Sequence, residues 1–195
     1  GTTEFNTQKL LNGSFGAQAQ SADTGTLDVV SATGLKLGTY NVTVDIAATQ
    51  ATKTSGDEAT DAAVVAAVAA GGLVINGIAI DTTGVNSVAG LITAVNNYAD
   101  ETGVKITAGA SGSDAIVLTA NEYGSDAKID LAGSHTAWTA DGVFGSVATV
   151  AGKDAEVTFE NPEGISQTVT GTGQKVVYGS AEFTATAAAA AASTT

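Results

Sequence analysis

The sequence predicts an α+β protein whose β structure is mostly antiparallel, and three observations predict it. An Asn-Gly pair sits between two short apolar runs in Leu73-Val-Ile-Asn-Gly-Ile-Ala-Ile80. A segment with apolar residues at helical spacing follows at once, from Ser87 to Asp100. Elsewhere, stretches that alternate apolar with polar residues outnumber the helix-like ones, and Gly-, Asn- or Pro-containing turns separate them.

The Asn-Gly pair is the firmest signal. Both central residues of a type I′ turn need φ > 0, which Asn and Gly tolerate best. With Asn76 and Gly77 as a two-residue loop, Ile75 faces Ile78 and Leu73 faces Ile80, so four apolar side chains share one face. Val88, Leu91, Ile92, Val95 and Ala99 form the stripe of a helix that covers this face. Asn86 or Ser87 caps it, Thr93, Asn96, Asn97 and Asp100 point to solvent, and Gly103 stops it. Val104, Ile106 and Ala108 alternate with polar neighbours, as do Ile116 and Leu118 beyond the turn 109–113, and Ala127, Ile129 and Leu131 after them. The prediction is a hairpin, a helix and three more strands.

In chain order, Leu27 to Ser31 reads as a strand, and Tyr40, Val42, Val44 and Ile46 alternate against Asn41, Thr43 and Asp45 as another. Residues 50–55 read as a polar bridge. Asp57 to Ala70 reads as a helix, Ala-rich and with Asp57, Glu58 and Asp61 at the positive end of its dipole; Gly71-Gly72 ends it. Residues 133–145 have no clear period. Ala155, Val157 and Phe159, the turn Asn161-Pro-Glu-Gly164, then Ile165, Gln167 and Val169 form a second hairpin. Lys175 to Tyr178 adds a strand, and residues 181–195 read as an Ala-rich tail, helical by propensity and ordered only if docked.

Composition narrows the function. A chain of 195 residues is long enough for one ordinary domain or two small ones, burying roughly 70% of its unfolded surface. Its net charge is −13, from 20 acidic residues against seven Lys and no Arg, so its field repels nucleic acids and anionic membranes. There is no signal peptide at the start and no apolar run of about 18 residues, so no membrane span is expected. Cys is absent, which removes disulfides, thiolate metal sites and thiol nucleophiles.

Several stretches resemble one family. Val74-Ile-Asn-Gly-Ile-Ala-Ile80, Ser87-Val-Ala-Gly-Leu-Ile-Thr-Ala-Val-Asn96, Thr102-Gly-Val-Lys-Ile-Thr-Ala108 and Ile116-Val-Leu-Thr-Ala120 occur in the order of the "IN" module of bacterial flagellins and flagellar hook-associated proteins. Thr3-Glu-Phe-Asn-Thr-Gln-Lys-Leu-Leu-Asn-Gly13 resembles the flagellin stretch where the core helices give way to outer domains, though Ser14 to Gln20 depart from it. Gly38-Thr-Tyr-Asn-Val-Thr-Val44, followed by Ala47-Ala-Thr-Gln-Ala51, resembles an outer-domain strand of flagellins and filament-cap proteins.

The resemblance implies an outer, D2/D3-type part of a flagellin, with Ile75, Asn76, Gly77, Ile78, Leu91 and Val95 as its structural motif. Residues 1–20 are then a stub of the core region, 21–55 with 134–180 a β-rich lobe, 56–133 the inserted IN-type lobe, and 181–195 a return tail. It implies an extracellular, non-enzymatic filament component whose partners are other flagellin subunits. These residues alone, without the long terminal helices, are expected to stay monomeric and to lack the helical segment that innate immune receptors recognise. A filament-cap or hook-junction protein, and a saccharide-binding or adhesive module, are the alternatives.

Candidate chemistry is sparse, and no cofactor or metal is expected. His135 could be a base or a ligand, but it has no second His to join it, so a locally bonded loop His is the plainer reading. Trp138 could stack on a sugar, but core packing is the plainer reading. Asp57, Glu58 and Asp61 lack the spacing of an EF-hand, and Gly171-Thr-Gly173 opens no helix, so it is a turn. Asn12 and Asn41 match the N-glycosylation pattern, and the many Ser and Thr are candidate O-glycosylation positions.

Overall fold

A computed structural model describes residues 3–9, 17–21, 27–55, 59–109, 115–140, 142–145 and 147–186, the first two of these as backbone. The chain opens with β1 (Thr3–Lys9), β2 (Ala17–Ser21), β3 (Leu27–Ser31), β4 (Thr39–Ile46) and β5 (Gln50–Thr54). Next come α1 (Asp61–Ala70), β6 (Leu73–Ile75), β7 (Ile78–Ile80), α2 (Val88–Asn96) and α3 (Ala99–Thr102). Then follow β8 (Val104–Ala108), β9 (Ile116–Tyr123) and α4 (Thr136–Thr139). The last strands are β10 (Glu156–Glu160), β11 (Ser166–Thr170), β12 (Lys175–Tyr178) and β13 (Ala181–Ala185). The fold is α+β and every strand register determined is antiparallel.

The chain divides into two compact units. The flanking unit is Gly1–Thr49, Tyr123–Ser125 and Lys153–Thr195; the inserted unit is Gln50–Glu122 and Asp126–Gly152. Residues 50–55 and 134–152, expected with the flanking lobe, therefore fold with the inserted one.

In the flanking unit a five-stranded sheet, ordered β11-β10-β4-β1-β2, and a three-stranded sheet, ordered β12-β13-β3, share one core. Alternation dictates it: Tyr40, Val42 and Val44 from β4 and Val157 and Phe159 from β10 meet Leu27, Val176, Ala181 and Phe183. Phe159 stacks on Tyr178 at 4.5 Å and tilts against Phe183 at 5.0 Å, so a chain poor in aromatics concentrates several here. Ile46, expected to point inward, is exposed, because the β4–β10 register shifts between Glu156 and Val157. Ala181–Ala185, expected to begin a helical tail, is a strand instead. Ala181, Phe183 and Ala185 are buried, and burial on a pleated face outweighs the helix propensity of Ala. Residues 187–195 of that tail, like Leu10 to Gly13 of the expected stub, lie outside the described residues.

In the inserted unit the β6–β7 hairpin, α1 and α2 enclose a core with the sheet β5-β9-β8. The hairpin register is Leu73↔Ile80 and Ile75↔Ile78, with Asn76 and Gly77 at φ 50 and 82 as the turn requires. Ser87 caps α2 by accepting from the N–H of Gly90 at 3.1 Å.

Several expectations fail here. The helix expected over 87–100 ends at Asn96, and a separate short helix, α3, runs from Ala99 until Gly103 ends it at φ 68. Residues 127–131 are not a strand. The main-chain bonds of Lys128 and Asp130 go to Asn76 and the Leu131 carbonyl accepts from Ser134 N–H, so the alternation records extended chain lying over a core rather than a ladder. The third strand is β5, from the stretch read as a polar bridge. The helix expected from Asp57 begins at Asp61, with Thr60 as its cap; Asp57 and Glu58 lie outside the described residues.

Candidate functional site

Asn76 bonds to two separate stretches of chain from the hairpin turn. Its side-chain amide donates to the carbonyls of Thr102 (2.8 Å) and Lys128 (3.1 Å), and its Oδ1 accepts from the N–H of Asp130 (2.8 Å). Its own N–H donates to the Asp130 carbonyl at 2.7 Å. One side chain, presented by a left-handed turn, thus ties the end of α3 and the segment 128–130 to the hairpin. Beneath it Ile75, Leu91 and Val95 are fully buried, while Ile78 is half-buried at the rim. The sequence pointed to Asn76 for its backbone angle; the amide bonding gave no signal in the pattern.

Other polar side chains missed by sequence reasoning do comparable work. Asn96 donates to the carbonyl of Ile106 at 2.9 Å and accepts from its N–H at 2.8 Å, so it occupies the place of a neighbouring strand beside β8. The Ser134 hydroxyl accepts from the N–H of Val74 at 2.8 Å and donates to its carbonyl at 2.9 Å, closing β6 in the same way. Asp61 Oδ1 accepts from Val88 N–H at 2.7 Å, so an acid at the start of α1 also serves the start of α2. In the flanking unit Asp154 accepts from Ser125 N–H and Oγ and from Gly173 N–H. These bonds, that to the Ser125 hydroxyl foremost, hold its carboxyl below the usual range. Gly124 fits there because a Cβ would lie 2.5 Å from Asp154 Oδ1 and 2.7 Å from the nitrogen of Gly173.

The residues weighed for chemistry have structural positions. His135 is exposed and caps α4, its Nδ1 accepting from Ala137 N–H at 3.2 Å. Trp138 is fully buried and its Nε1–H donates to the Gly71 carbonyl at 2.9 Å, so it offers no face to a sugar. The saccharide-binding alternative would need a site near Trp138 and His135, and the Trp138 ring is enclosed in the core instead. The open groove beside α4, about 430 Å³, is lined by small residues such as Ala63, Ala66, Ala137 and Val143. Asn41 lies in β4 between two strands with its amide on Glu160, a poor position for a glycan. Among the described residues no group of three or more His, Asp or Glu is placed to hold a metal, and no helix is long and apolar enough to cross a membrane.

No protein-family model matches the chain, and no curated protein matches it by sequence. Solved structures do resemble it in fold. The D2–D3 domains of the flagellar cap protein FliD from Escherichia coli match with a TM-score of 0.59 at 18% identity, over 87% of this chain and 92% of that one. FliD from Bdellovibrio bacteriovorus matches with a TM-score of 0.53 at 12% identity, over 86% of this chain and 93% of that one. The FliD D2–D3 domains from Serratia marcescens match with a TM-score of 0.55 at 14% identity, over 85% and 95%. Each of these is a flagellar cap protein. The chain has the fold of flagellar cap outer domains, a likeness that falls on the filament-cap alternative rather than on flagellin.

Proposed function

We propose that this chain is the outer-domain pair of a flagellar filament-cap protein. It would act as a non-enzymatic, extracellular structural module whose partners are other subunits of the flagellar assembly. The observation that carries the reading is the fold likeness to the cap D2–D3 domains of Escherichia coli, which extends over 92% of their length and so takes in both units. The sequence resemblance supports it independently: Ile75, Asn76, Gly77, Ile78, Leu91 and Val95 belong to a module shared by flagellins and hook-associated proteins. On this reading residues 73–131 are the IN-type module. The charge of −13 suits a surface held in water next to copies of itself.

Gold-labelled antibody raised against this chain, applied to cells that express the parent protein, tests the reading. Label confined to filament tips is the expected result. Label along the whole filament would make the chain a flagellin outer domain, and label away from flagella would overturn the flagellar reading.

A further inference from the structure

β11 is the outermost strand of the five-stranded sheet, and its bonding fixes which of its groups are spent. Asn161 N–H donates to the Ile165 carbonyl and Gly171 N–H to the Ala155 carbonyl, so the odd-numbered residues of β11 bond inward to β10. By the alternation of an antiparallel ladder, Ser166, Thr168 and Thr170 turn their N–H and C=O groups outward. Among the described residues no backbone or side-chain group bonds to them there; the Thr168 hydroxyl is shared with that of Thr158 on the sheet face. The strand contains none of the usual blocks to pairing, neither Pro, nor Lys, nor a bulge.

Charge selects the occupant. Two copies of a chain carrying −13 repel over most of their surfaces, yet residues 164–174 carry no charge at all. The charged residues that bound this strip are already paired: Glu163 with Lys36 at 2.6 Å and Lys175 with Glu182 at 2.7 Å. The strip is also self-complementary, since a two-fold axis at Thr168 sets Thr168 opposite Thr168 and Ser166 opposite Thr170, each pair exchanging both main-chain bonds.

We infer that β11 is a pairing edge for a second copy of this chain, joining two five-stranded sheets into one antiparallel sheet. The contact is small and belongs to the weak class, effective where copies are held close together. Glu156 and Glu160 lie one strand away, so the pairing strengthens as salt screens them. This inference stands whether or not the parent is a cap protein.

Sedimentation equilibrium of the 195-residue chain, run up to millimolar concentration at low and high salt, tests it. The mass should rise towards that of two copies, more so at high salt. Thr168→Glu, at an exposed position and with circular dichroism checked, should weaken association roughly tenfold or more, because it sets like charges face to face. Thr168→Lys alone should do the same, and an equimolar mixture of the two variants should associate more tightly than either alone. A wild-type chain that stays monomeric throughout, a dimer indifferent to Thr168→Glu, or a mixture no tighter than its components would each overturn the inference.

Discussion

In the inserted unit the edge groups of β6 end on the Ser134 hydroxyl and those of β8 on the Asn96 amide, while the edge of β5 is bridged by Val150 through its main chain. In the flanking unit the outer edge of β11 meets no partner among the described residues. The inserted unit closes each of these edges with a single well-placed residue. The flanking unit draws its cohesion from aromatic packing between two sheets and, among the described residues, leaves the outer edge of β11 unbonded. Stability in the first should therefore respond to polar deletions as well as to core truncation, whereas the second should respond mainly to truncation of its core.

The largest effect expected is that of Trp138→Ala. It removes a fully buried ring and leaves the Gly71 carbonyl unpaired, at a cost of about 3–5 kcal/mol. Calorimetry should show the loss in the inserted unit, and Phe159→Ala should place a comparable loss in the flanking one. A single transition that moves equally for both would show that the units do not melt separately.

Asn76→Ala comes next, at about 2–4 kcal/mol, since three side-chain bonds are lost and Ala is strained at φ 50. Asn76→Gly relieves the strain but not the lost bonds, so denaturant titration of the two variants separates the amide from the turn. Equal stability of Asn76→Gly and wild type would remove the amide from the account. Ser134→Ala should cost about 1–2 kcal/mol and speed exchange of the Val74 amide hydrogen by roughly tenfold, with flanking-unit amides unchanged.

The smallest effect is acid sensitivity at Asp154. Its folded pKa lies below the ordinary value of 3.8, so its bonds stabilise the flanking unit at and above that pH, and the contribution is lost as pH falls through the folded value. Carboxyl titration by NMR should give a midpoint under 3.8, and Asp154→Asn should remove this part of the acid response. An ordinary midpoint would contradict the bonding described.

The contrast also explains what the sequence made legible. Asn76-Gly77, the alternation of Tyr40, Val42 and Val44, and the stripe through Leu91 and Val95 are local patterns, and local patterns placed their elements correctly. Residues 127–131 alternate as a strand does, but strand identity needs a partner strand, and Lys128 and Asp130 bond instead to one turn residue, Asn76, far away in the chain. Gln50–Thr54 looked polar because an edge strand buries little; Ala51 is its one buried residue. In Ala181–Ala185 composition hid the alternation of Ala181, Phe183 and Ala185. Ser134, Asn96 and Asp154 act through contacts distant in sequence, for which periodicity carries no signal.

Electron microscopy of the complete protein that contains these residues, purified and allowed to assemble, tests the central claim most directly. The filament-cap reading predicts closed rings of a small number of subunits with these outer domains projecting from them. Open-ended growth into filaments would contradict it in favour of a flagellin, and a protein that forms neither would contradict a role in the flagellar assembly.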